Sequence, residues 1–216
     1  MSLSINGTLI SEDTEGVVFN QVPLDAVYFN NIKVWQKYAG PASPRFVTAS
    51  ATLTAGIDFP ADTDISVCMA GGGGGGFADG GYAAQIQQFS INEPHGTQLI
   101  FSNGAGGDVF GGSGGSSSFA GITATGGSGA THTGGYPGNH ASSVTCDGRT
   151  VYDGWNAFNN SSYNQGGGQR CLGNGGNGVG GNSAGNPGIY GAGGGGFNGR
   201  EGRPGFGGAG VLILMW

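Results

Sequence analysis

Short apolar runs of strand length, rather than helix-period stripes, organise both ends of this 216-residue chain. In the first forty residues the pieces LSINGTLI, VVFN, AVYFNN and IKVWQKY are β-branched or aromatic. Turn residues separate them: Asn6-Gly7, Glu15-Gly16, Pro23 and Asn30-Asn31. AVYFN and IKVWQK read as a hairpin across Asn30-Asn31, because asparagine tolerates the positive φ of a tight turn. RFVTASATLTA and DISVCMA follow as strands around a turn at 56–60. In ISVCMA, Ile65, Val67 and Met69 share one face by the period of two. QIQQFSI (85–91) and TQLIFSNG (97–104) read as a hairpin around NEPHG, and SSSFAGITATGG (116–127) as a further strand segment. The chain ends in VLILMW (211–216), which is expected to join the N-terminal strands in one sheet, having no other large apolar surface to bury against.

Glycine changes this picture. Of the 51 glycines only Gly7, Gly16, Gly40 and Gly56 precede position 71, so 47 fall in the 140 residues 71–210. One residue in three is a collagen-like share, but the strict triplet period is absent and prolines are few. A glycine body that orders must pack backbone on backbone, because no side chains hold the strands apart. Polyproline-II-type helices laid side by side allow this, with three residues per turn. The alternative is a disordered low-complexity tail. Aromatics at 10% and charges at only 9% favour order. The clusters recur at irregular intervals, so there is no solenoid of equal units. The longest interval between them, 130–172, carries Tyr136, Tyr152, Trp155, Phe158 and Tyr163, with His132, His140 and Arg149.

A net charge of −6 without a Lys/Arg cluster argues against nucleic acid as a partner. Cys68, Cys146 and Cys171 match no zinc spacing and make no disulfide framework. Cys68 reads as a small packed hydrophobe, while Cys146 and Cys171 either pair or stay free. MSLSINGTLI lacks the pattern of a secretory signal, and VLILMW is too short to span a bilayer.

Gly71–Gly76 after a strand invites a phosphate-loop reading. Yet no lysine follows position 37, and FADGG does not begin a helix. His95, His132 and His140 lack the spacing of a metal or catalytic motif, and the Gly-Ser-Gly triplets lie inside low-complexity glycine. Asp147 and Asp153 with Arg149 read as a surface ion pair. No catalytic residue, cofactor or metal is expected. Tyr, Trp and Arg dominate binding hot spots, so the interval 130–172 is the candidate contact region. Trp155 and Phe158 lean buried there, and Tyr136, Tyr152 and Tyr163 lean exposed.

The order of four segments resembles the glycine-rich domain of bacteriophage tail-fibre and tail-tip proteins. FVTASATLTAGIDFPADTDISVCMAGGGGGG is a strand pair leading into a glycine run. GGSGGSSSFAGITATGGSGA enters a strand with Ala-Thr-Gly-Gly, and GREGRPGFGGAG precedes the terminal strand VLILMW. The likeness covers about 45–216. The first forty residues, ending in VYFNNIKVW, are similar to short attachment modules of phage tail proteins. The insert 130–172 departs from the family pattern.

The resemblance implies an all-β chain with an irregular glycine-rich body. A β module over 1–40 and a linker over 41–44 would precede an adhesin-like domain over 45–216. In that domain a β-sheet base carries packed polyglycine-II-type helices and strand 211–216 closes it, with almost no α-helix. It also implies a non-enzymatic virion component at the tail fibre or tail tip. Its partners would be a bacterial surface receptor, protein or glycan, and other tail or baseplate proteins, with a homotrimer as one assembly. Tyr136, Arg149, Tyr152, Trp155 and Tyr163 are then the receptor-binding candidates, and Tyr28, Phe29 and Trp35 those for attachment to the tail. A purely structural baseplate or fibre component is the main rival. A glycan depolymerase is the weaker one, because the body's few carboxylates form no evident pair.

Overall fold

The structure is a computed structural model. It describes residues 40, 42–77, 80–130, 171–173, 175–176, 184–196 and 203–216 in full, and elsewhere the backbone of strands alone. In the N-terminal part these strands are β1 (Leu3–Ile5), β2 (Thr8–Asp13), β3 (Gly16–Phe19), β4 (Val22–Pro23), β5 (Ala26–Phe29) and β6 (Ile32–Gln36). β1 to β4 form one antiparallel sheet, and β5 pairs with β6 at the register Phe29↔Ile32, the hairpin expected there.

The body contains β7 (Arg45–Val47), β8 (Ala51–Thr54), β9 (Ile65–Ala70), β10 (Ile86–Ile91), β11 (Gln98–Phe101), β12 (Ser117–Phe119) and β13 (Ile122–Ala124). Then come β14 (Val144–Cys146), β15 (Arg149–Tyr152), β16 (Val179–Gly180), β17 (Phe197–Asn198) and β18 (Val211–Met215). No helix occurs among the described residues. The architecture is all-β.

One sheet has the order β10-β9-β18-β7, with VLILM between two partners as the apolar run requires. A second layer pairs β8 with β11 and β12 with β13, joined through a Ser102↔Ser118 bridge. Ile65, Val67 and Met69 do share a face, and it meets Leu53, Phe101, Phe119, Leu212 and Leu214 in the core between the layers. On the other face of the first sheet Cys68, Ala70, Val211, Ile213 and Met215 are covered by Ala84, Cys171, Leu172 and Ala192. VLILM is thus buried on both sides, which explains its unbroken apolar run.

Three expectations need correction. The segments 85–91 and 97–104 do not pair: β10 joins β9 and β11 joins β8, so NEPHG carries the chain from one layer to the other. RFVTASATLTA is two strands in different layers. The break lies at 48–50, where the Asn103 amide nitrogens donate to the Thr48 carbonyl (2.7 Å) and the Ser50 hydroxyl (2.9 Å). The segment 116–127 is a tight hairpin. Ala120 (φ 48°) and Gly121 (φ 77°) both take the left-handed conformation that a two-residue hairpin turn demands.

Above the sheets stand glycine rods of three-residue period. The run 71–76 continues β9 and is buried throughout. Its amides donate in rotation to three neighbours: Gly71 and Gly74 to Gln85 and Tyr82 (3.3 and 2.9 Å), Gly72 and Gly75 to Gly115 and Gly112 (both 2.8 Å), and Gly73 and Gly76 to Gly208 and Gly205 (2.8 and 2.9 Å). Its carbonyls accept from three more: Gly72 and Gly75 from Gly127 and Ala130, Gly73 from Gly107, and Gly74 from Gly194. The central rod is therefore ringed by 80–85, 125–130, 112–116, 104–108, 203–210 and 192–196. A Cβ on any of Gly71–Gly76 would strike a neighbouring backbone, repeating by threes against 125–130, 104–108 and 192–196. This is close packing of polyglycine-II-type helices.

Apart from the buried Pro204, the outer rods keep glycine or alanine at their inward positions and show a side chain at every third one: Tyr82 and Gln85, Ser113 and Ser116, Thr125 and Ser128, and Arg203, Phe206 and Ala209. The base of the body is pinned by Arg45, which bonds the Asp58 carboxylate at 2.8 Å, and by the Trp216 amide, which donates to the Ser43 hydroxyl at 3.0 Å.

Candidate functional site

The ring of hydrogen bonds fixes which loops share an end. The rods 71–76, 104–108 and 125–130 run away from the sheets, and 80–85, 112–116 and 203–210 run back. At the far end Gly111 donates to Gly76 (3.1 Å), Ala130 to Gly75 (2.9 Å), Gly76 to Gly205 (2.9 Å) and Gly205 to Gly195 (2.8 Å). Four excursions of the chain therefore start at one tip: after Gly76, at 108–111, after Ala130, and after Gly196. The third is the long insert, which begins at this tip and comes back to the sheet end at Cys171, whose thiol donates to the Ala84 carbonyl (3.5 Å).

Two aromatics mark the tip. Phe77 closes the central rod and meets Phe110 edge to face, with ring centroids 5.9 Å apart at 67°. Phe110 is 61% exposed and holds φ at 64°. A bulky residue in the left-handed region costs about 1–2 kcal/mol, and such strain clusters at functional sites. Gly111 follows at φ 83°, so the turn reverses within two residues. Asp108 helps to shape it: its carboxylate accepts from the Val109 amide (2.8 Å) and its carbonyl from the Gly112 amide (3.0 Å).

Of the residues expected at the contact, Tyr136, Trp155 and Tyr163 lie outside the described residues. Arg149 and Tyr152 lie on β15, in register with Cys146 and Val144 of β14, and the structure describes only their backbone. The same holds for Tyr28, Phe29 and Trp35 on β5 and β6. Phe77 and Phe110 were not among the candidates. A signal for Phe110 was present in GGDVFGG, a lone aromatic between two glycine clusters.

The central glycine run is no phosphate cradle, since each amide from Gly71 to Gly76 is spent on a neighbouring rod. His95 sits at the opposite end, its ring packed over Gly56 in a turn between the layers. No group of three His, Cys, Asp or Glu side chains gathers among the described residues. No helix among them is long and apolar enough to cross a membrane.

The cysteines match expectation in part. Cys171 is a free, buried thiol, so it does not pair with Cys146. Burial pushes its pKa up to about 12. Cys68 is buried as expected, but as half of a disulfide.

No family model matches this chain, and no curated protein matches it either.

Proposed function

We propose that the chain is a non-enzymatic adhesive component of a bacteriophage tail that recognises a bacterial surface receptor through loops at the far end of the rod bundle. The observation that carries this reading is the convergence of four chain excursions on one tip, beside a strained, exposed phenylalanine. Interlocked rods supply a support that tolerates variable loops, because the loops contribute little to the packing beneath them. A rigid support also lowers the ordering cost of binding. The receptor contact comprises the insert, with Tyr136, Arg149, Tyr152, Trp155 and Tyr163, together with Phe77 and Phe110. The module of residues 1–40, with Tyr28, Phe29 and Trp35, attaches the protein to the tail.

The test is binding of the purified full-length protein to a panel of bacterial strains, compared with Phe110→Gly. Glycine relieves the left-handed strain of about 1–2 kcal/mol. It forfeits an aromatic contact of about 0.5–1.5 kcal/mol and gains unfolded-state entropy worth about 0.4–1 kcal/mol. Melting should therefore stay within a few degrees, while binding falls at least about thirty-fold, as for a hot-spot residue. Absence of binding to any strain defeats the reading in favour of a structural baseplate or fibre component. Release of sugar from a surface glycan defeats it in favour of a depolymerase.

A further inference from the structure

We infer that Cys68 is bonded to Cys146, and that this bond clamps the insert 131–170 onto the central sheet of the body only after both thiols have been oxidised. Two independent observations meet here. The chain has three cysteines; Cys68 is disulfide-bonded and Cys171 is free. Within the chain that leaves Cys146 as the partner. Separately, β14, which ends at Cys146, lies against β9, which carries Cys68.

Cys171 is the competitor, since it shares the buried cluster of Cys68. It is disarmed by its surroundings. Its thiol is committed to the Ala84 carbonyl, and burial holds it protonated at neutral pH. Disulfide exchange proceeds through the thiolate, so Cys171 does not capture Cys68.

The clamp divides the insert. The segment starts at the far tip after Ala130 and comes back to the sheet end at Cys171, and the bond fixes a point between them to a strand buried on both faces. Closure is a two-electron step. The Cys68 and Cys146 thiols lose two protons and two electrons to a low-molecular-weight disulfide, which leaves as two thiols. Cytosolic thiols are kept reduced, so the chain is made with the insert unclamped and is clamped in oxidising surroundings. For the receptor reading above, on which this one consequence rests, the contact loops take their final arrangement outside the cell that makes them.

The experiment uses the full-length protein purified without reductant. Peptide mapping by mass spectrometry should return a Cys68–Cys146 linked pair. Limited proteolysis should cut within 131–170 at least about ten-fold faster in Cys146→Ser than in the wild type, with the rest of the body intact. Cys171→Ser should keep both the linked pair and the wild-type rate. A Cys68–Cys171 pair, three free thiols in the air-oxidised protein, or equal cleavage rates in wild type and Cys146→Ser would each overturn the inference. None of these readouts depends on cell binding, so failure here is distinguishable from failure of the adhesive reading.

Discussion

Replacing Gly74 by alanine adds one methyl carbon at the middle of the central rod. That carbon would overlap the carbonyl oxygen of Ser128 and lie 2.9 Å from the Gly129 nitrogen. Ordinary carbon contacts need about 3.5–4 Å, so the two backbones must separate by more than about 1 Å. Neither can move freely. The Ser128 carbonyl accepts from the Tyr82 amide at 3.0 Å, Gly74 donates to Tyr82 at 2.9 Å, and the Gly74 carbonyl accepts from Gly194 at 2.9 Å. Yielding on either side strands at least one buried backbone group, at about 1–3 kcal/mol. Overpacking adds about 1–3 kcal/mol, and the stiffer unfolded chain returns about 0.4–1 kcal/mol. The net expectation is a loss of about 3 kcal/mol. At 2–4 °C per kcal/mol for a chain of this size, the melting temperature drops by about 6–12 °C. Ser113→Ala, at an exposed third position of an outer rod, should melt with the wild type. Thermal unfolding followed by circular dichroism or calorimetry reads both. If Gly74→Ala melts within 2 °C of the wild type, roughly, backbone-on-backbone packing is not what holds the body together.

Three further outcomes are expected. Truncation after Gly210 removes Val211, Leu212, Ile213 and Leu214, all fully buried between two partner strands. At about 1.5–3 kcal/mol each, their loss matches a whole domain's stability of about 5–15 kcal/mol, so a soluble truncation with the wild-type melting curve would contradict the role of β18. Partial burial pushes the Asp58 carboxyl up, but the Thr54 amide and Arg45 outweigh it and hold its pKa below the ordinary value. Its contribution is therefore complete above about pH 4 and is lost as pH falls through the lowered folded value; stability measured from pH 6 to pH 2 should decline less below pH 4 in Asp58→Asn than in the wild type. Cys171 should resist alkylation at pH 8 in the folded protein and react at once in denaturant, as a thiol raised to about 12 requires; labelling of the native protein at the rate of a free thiol would refute its burial.

Where side chains carry the pattern, the sequence was readable. ISVCMA and VLILM fell into place because period two and an unbroken apolar run have single readings. The rods were foreseeable because glycine at one residue in three with little charge leaves few other ways to pack. Partner choice was not readable. QIQQFSI and TQLIFSNG look like a hairpin, yet their inward faces serve different layers, and only the whole sandwich decides that. The neighbours of Gly71–Gly76 are chosen by backbone hydrogen bonds, which leave no mark in a string of identical residues. The tip shows the same limit: Phe110 gains its meaning from a φ of 64° and from Phe77, 33 positions away in the chain. The fate of the cysteines was hidden because pairing depends on where β14 lies, not on spacing.

The rotation of the rod amides through three neighbours sets an arithmetic for evolutionary change. Adding one residue within a rod turns everything beyond it by a third of a revolution, so an outward position such as Ser113 or Ser128 would swing its side chain into a glycine contact. Adding three residues restores the phase and lengthens the rod by about 9 Å. Insertions matched in an outgoing rod and its return would raise the tip without disturbing the base. Variants of this body should therefore differ in height by whole turns, while the loops that cap it are free to change by any number of residues.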